Sequence, residues 1–186
     1  MTNRILLTLI IALFAGSTSI AQAAPQQRDH LTQQEVDLVK EAQILDKRID
    51  VFVKAAERRL MVINGSASAA TNAKQLKKDS ERWGELPTGS RAELVSDIAK
   101  ILDEAITNID DVVTRDERNP LVAKSLRKLA QATTSIMGQL KPLATEAKSD
   151  AEIASFELLN EDAQSILEAA NKLPPEVVDK KAKKNN

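Results

Sequence analysis

The chain has no cysteine and no tyrosine, one histidine, one tryptophan and three phenylalanines, so that aromatic residues make up 2% of its 186 positions. Without cysteine there can be no disulfide framework, no lipid-anchored N-terminal cysteine and no c-type haem, whose attachment needs Cys-x-x-Cys-His. The lone His30 precedes the first helical pattern, so no serine or cysteine triad with a histidine base can form inside a helical bundle. Inward-facing Glu-x-x-His pairs, the mark of di-iron bundles, are also missing. A Met/His haem site would require His30 with Met61 or Met137, and Met61 stands one step off the apolar stripe of its helix. No cofactor is expected. A nucleic-acid partner is not expected either, because the net charge is −1 and few aromatics remain to stack bases. No stretch alternates apolar and polar residues over a useful length, which excludes a sheet.

What is present begins with an export signal. Asn3 and Arg4 precede the apolar run Ile5 to Ala15, and Gly16 to Ala23 turn small and polar, ending Ala21-Gln22-Ala23. Residues 1–23 read as a signal peptide cleaved after Ala23. The apolar run is shorter than the roughly 20 residues that span a bilayer. The expected location is therefore periplasmic or secreted. Residues 24–175 read as one helical domain, held by its core alone. Residues 176–186, with Lys180, Lys181, Lys183 and Lys184, read as a lysine-rich disordered tail.

The domain reads as four helices. Leu31 to Ile63 predicts one helix roughly 50 Å long. It opens at a capping box of Thr32 and Glu35, carries Leu38, Ala42, Leu45, Ile49, Phe52, Ala56 and Leu60 at steps of mostly three and four, and stops at Asn64-Gly65. A second capping box, Ser90 with Glu93, opens a helix to about Arg115 whose stripe is Leu94, Ile98, Leu102, Ala105, Ile109 and Val112. Asn119-Pro120 starts a third, lined by Val122, Leu126, Leu129, Thr133, Ile136, Leu140 and Leu143. Pro142 either ends that helix or kinks it. A third capping box, Ser149 with Glu152, opens the last, with Ile153, Phe156, Leu159, Ala163, Ile166, Ala170 and Leu173 inward and Pro174-Pro175 as its stop.

The simplest packing is an all-α antiparallel four-helix bundle with a long loop, carrying a short helical piece around Ala70 to Arg82, between the first two helices. Residues 91–116 carry three basic against seven acidic side chains, a net −4. Residues 120–148 carry five against one, +4, and the last helix one against six, −5. This acidic, basic, acidic succession predicts that neighbours in sequence are neighbours in space, with each exposed pair adding only about 0.2 to 1 kcal/mol.

Two stretches are candidates for function. Glu104, Asn108 and Asp111 share a helix face beside Asp103 and Asp110. They read either as oxygen ligands for a hard cation or as a solvated face turned to the lysines and arginines of a neighbour. The loop from Asn64 to Gly89 is the stronger contact candidate, since binding residues concentrate on long loops over rigid scaffolds. Its expected partner-binding residues are Trp83, Leu86, Lys77 and Lys78. Trp83 is either an exposed anchor or, with Leu86, a plug at one end of the bundle.

Leu31-Thr32-Gln33-Gln34-Glu35 resembles the LTxxQ motif of small helical periplasmic chaperones and envelope-stress proteins. The resemblance covers five residues, has Glu35 in place of the motif's glutamine, and occurs once where that family has it twice. It implies a holdase-like chaperone as one function. The leading expectation from the residues is an exported, non-enzymatic helical bundle, monomeric or weakly dimeric, that contacts an unknown protein or envelope component. A metal-assisted hydrolase using the Asp103 to Asp111 carboxylates is the third.

Overall fold

The computed structural model describes residues 29–65 and 79–175. The expected signal peptide, the lysine-rich tail, and Lys77 and Lys78 lie outside those residues, as does all but the end of the short helix expected at 70–82. Among the described residues there is no strand. The helices are α1 (Gln33–Glu41), α2 (Leu45–Ile63), α3 (Arg91–Arg115), α4 (Pro120–Glu146) and α5 (Asp150–Asn171), and residues 79–83 are also helical. None of these helices is long and apolar enough to cross a membrane.

Local chemistry accounts for most helix starts. Thr32 and Ser90 each close a complete capping box with the glutamate three residues on. Asn119 accepts from the backbone N–H of Leu121 ahead of Pro120. At Ser149 the box is only half made. Its hydroxyl accepts from the Glu152 N–H, but the Glu152 carboxylate turns to Arg91 at 2.6 Å and to the Lys148 N–H instead. Pro142 stands inside α4, which continues to Glu146.

The single helix expected from Leu31 to Ile63 is two helices. The chain breaks at Ala42-Gln43-Ile44, where Ile44 is extended (φ −89°, ψ 130°) and has no side-chain cap. The Arg48 side chain donates to the Ala42 carbonyl at 2.9 Å, giving that group a partner in place of a helical N–H. The apolar spacing runs unbroken through Leu38, Ala42 and Leu45. Periodicity therefore could not reveal the break.

Consecutive long helices alternate in direction, as the side-chain pairs between them show. Arg59 meets Asp97 while Arg48 meets Asn108, so α3 runs against α2. Lys124 meets Asp46 and Lys128 meets Asp50, so α4 runs with α2. The lateral order departs from the one expected. Around the bundle it is α2, α3, α5, α4, with α2 and α5 at opposite corners and α3 touching all the other long helices. The basic α4 thus neutralises Asp46 and Asp50 of α2, and the two acidic helices α3 and α5 lie side by side, bridged by Arg91 and Glu152. Apolar burial explains why charge does not choose the order: Ile98, Ala99, Ile101, Leu102 and Ala105 of α3 are all completely buried, and each buried isoleucine or leucine outweighs an exposed ion pair.

That arrangement leaves a trace on Asp162 of α5. Burial, then Asp103 of α3, then its neighbour Glu161 raise its pKa from 3.8 to about 6. The folded protein holds this proton more tightly than the unfolded chain, so the group's contribution to stability grows as pH falls from about 6 toward 4 and is a penalty above. Asp162→Asn is expected to stabilise the protein at pH 7 by about 1 kcal/mol after allowance for solvent screening. Melting curves of both proteins at pH 7 and pH 4 check this, since the gain should vanish at the lower pH.

Two stripe assignments are corrected or refined by burial. Ile153, expected on the inner stripe of α5, is 42% exposed. Thr133 is indeed buried, and with Ser125 it is one of two α4 hydroxyls without a hydrogen-bond partner. The remaining stripes hold, with Phe52, Ile98, Leu129 and Leu159 all fully enclosed.

Candidate functional site

The most concentrated chemistry among the described residues is a buried ionic clasp that no sequence motif announced. Glu35 of α1, Arg58 and Arg59 of α2 and Asp97 of α3 are each at least nine-tenths buried. Arg59 straddles the Glu35 carboxylate, with Nη1 at 2.8 Å from Oε1 and Nη2 at 2.7 Å from Oε2. Arg58 Nε donates to Oε1 from the other side at 3.2 Å, and Asp97 stands 3.8 Å from Arg59 Nε. Two cations face two anions, and the group is neutral.

Other donors of the two guanidinia reach main-chain oxygens, while Arg59 Nε is buried without a hydrogen-bond partner. Arg59 also donates to the carbonyls of Ala55 and His30, at 2.8 and 2.6 Å. Arg58 Nη2 gathers the carbonyls of Trp83, Gly84 and Glu85 at 3.1, 3.2 and 2.5 Å. Burial draws the Arg58 pKa below its ordinary value while Glu35 opposes the shift. Since a guanidinium starts so high, it stays charged. Chemically the clasp does one thing: it joins the residues before α1, α1 itself, α2, the 83–85 segment and α3 at one point. A carboxylate locked between two guanidinia and a backbone N–H has no free lone pair to offer a substrate.

The signals that could have found it are phase signals. Arg59 comes seven residues after Phe52 and three after Ala56, squarely in the apolar stripe of α2, while Asp97 falls between Leu94 and Ile101 in the stripe of α3. A charge in phase with a core stripe is either misplaced or paired. Glu35 gave less warning, since its capping role already explained it. It performs that role too, accepting from the Thr32 N–H at 2.9 Å.

Of the expected partner-binding residues, the structure brings Trp83 and Leu86 inward. Both are half-buried, and Trp83 packs on the core with the Arg58 guanidinium 5.7 Å from its ring centroid, an arrangement with cation–π character. Gly84 has φ +68°, and a Cβ there would come within 2.9 Å of the Gln34 side chain. The turn therefore needs glycine for its conformation, and it passes close to the Gln34 side chain of α1. Trp83 thus packs on the core while remaining partly exposed, and Trp83→Ala is expected to cost about 2 kcal/mol, below the range for a fully enclosed tryptophan. Urea unfolding measures this, and the native emission should be blue-shifted relative to the unfolded chain.

The carboxylate face is divided among partners. Glu104 meets His30 Nε2 at 2.8 Å, and Asn108 accepts from Arg48 at 3.1 Å. No group of three or more side chains among the described residues could hold a metal ion.

A different feature was not foreseen. Between α4 and α5 lies an open groove of about 520 Å³. Met137, Leu140, Ala144, Phe156 and Leu159 form its apolar floor, with Lys141, Thr145 and Asn160 among its rim residues. Gly138 lies along it, and a Cβ built there would meet nothing within 4 Å. In comparison with known proteins the chain matches no family model, no curated protein and no solved structure.

Proposed function

We propose that this chain is an exported, non-enzymatic helical-bundle protein that works by contact with a partner in the cell envelope. The observation that supports the reading is the make-up of the α4–α5 groove, whose floor is apolar and whose lining includes neither a carboxylate nor a histidine. A cleft without an acid–base pair suits binding better than turnover. Its one hydroxyl, on Thr145, is already committed to the Lys141 carbonyl at 3.1 Å. The compartment rests on the N-terminal run that ends at Ala23.

A photo-crosslinking residue introduced at Thr145, on the groove rim, tests the reading in living cells. The expected result is a discrete product in the envelope fraction, absent when the same residue replaces exposed Arg118 at the α3–α4 link. Retention of the protein in the cytoplasm, or equal labelling from both positions, would overturn it. The holdase-like alternative draws on the same groove, occupied by apolar segments of unfolded chains. It predicts suppression of client aggregation near one equivalent and a smear of crosslinked products rather than one band.

A further inference from the structure

We infer that the α4–α5 groove binds an anionic single-chain amphiphile, an alkyl carboxylate being the simplest, with the chain on the apolar floor and the head group at Lys141. The inference rests on the binding reading above and narrows it. At about 520 Å³ the groove falls within the size range of small-molecule sites. From Met137 to Thr145 it runs roughly 12 Å along α4, a length that an extended alkyl chain can follow.

Charge selects the head group. Of the nine lining residues only Lys141 is charged, and no carboxylate among the described residues pairs with it. The other lysines of α4 whose partners are known, Lys124 and Lys128, are held by Asp46 and Asp50 at 2.8 and 2.5 Å. The basic helix thus keeps one unpaired ammonium where the apolar floor meets water. Asn160, across the groove, offers an amide donor to the same head. Glu157 and Glu161 stand three residues before and one after Asn160, so the negative charge lies on the α5 side and the positive charge on the α4 side. Ile153 stands seven residues before Asn160, on the same side of α5, and its 42% exposure continues the apolar path toward the start of that helix.

Gly138 makes the test clean. The space around it is open, and leucine is a far better helix former than glycine, so Gly138→Leu should fill the groove without harming the fold. The purified protein is titrated calorimetrically with dodecanoate and with dodecyltrimethylammonium, both below their micelle-forming concentrations. Dodecanoate should bind at one equivalent and at least tenfold more tightly than the cation. Gly138→Leu should weaken it at least tenfold with no fall in melting temperature, and Lys141→Met should abolish the preference between heads while keeping the chain contact. Should Gly138→Leu fold poorly, Lys141→Glu decides alone, since it should invert the preference. Absence of dodecanoate binding, equal binding of the two heads, or full affinity in Gly138→Leu would each overturn the inference. If dodecanoate fails but the Thr145 crosslink yields its single product, the contact reading stands and only the ligand class is wrong; if both fail, both readings fall.

Discussion

Glu35→Ala is expected to destabilise the protein by about 3 to 5 kcal/mol, because it leaves two guanidinia buried without their shared carboxylate. The neighbouring Asp97 is a poor replacement, since it stands 3.8 Å from Arg59 Nε, beyond hydrogen-bond reach. The substitution also removes the acceptor of the Thr32 N–H and so half of the capping box of α1, which accounts for the upper part of the range. Equilibrium urea unfolding gives the number. Glu35→Gln sharpens the reading: it keeps the shape and one oxygen but not the charge, so a loss close to that of alanine assigns the effect to charge, and a small loss assigns it to hydrogen bonding. A change under 1 kcal/mol for Glu35→Ala would mean that the clasp is not closed in solution.

Ile98→Asp should be at least as damaging, about 5 kcal/mol, enough to unfold a protein of ordinary stability. Ile98 is completely buried on α3, the helix that touches all the other long ones, so the new carboxylate would be cut off from water. Loss of the helical circular-dichroism signal, or a melting transition displaced below room temperature, is the expected observation. Ile153→Asp supplies the contrast. That side chain is 42% exposed, so the same chemical change there should move stability by no more than about 0.5 kcal/mol. Equal effects at the two positions would refute the burial pattern of the bundle.

The clasp also bears on how the molecule is built. Buried ion pairs are often no more stabilising than apolar residues of the same volume, and in some proteins they fix one arrangement against others. Here the arrangement fixed is the return of α1 along α2. Along one straight helix Glu35 and Arg58 would stand roughly 35 Å apart, whereas in the structure they are in hydrogen-bond contact at 3.2 Å. The break at Ala42-Gln43-Ile44 is what allows the contact. It forms without glycine or proline to announce it.

What the sequence determined by itself is everything governed by short range. The capping boxes at Thr32 and Ser90, the cap at Asn119 and the stripes through Phe52, Ile98, Leu129 and Leu159 are all where their spacing puts them. Such features depend on residues three or four apart, and a helix brings those together whatever the rest of the chain does. What only the tertiary structure decided depends on partners far along the chain. The break in the first helix, the side-by-side placement of acidic α3 and α5, the inward turn of Trp83 and the groove along Gly138 each follow from contacts between separate elements. The physical reason is a difference in magnitude. Surface charge pairs contribute tenths of a kcal/mol, while burying a large apolar side chain contributes about 1.5 to 3, so the charge succession along the chain could not set the order of the helices. Arg59 and Asp97 show the complementary case, in which charges carried into the core by their phase in the helix must find each other. Where they meet is decided by the fold and cannot be read from either helix alone.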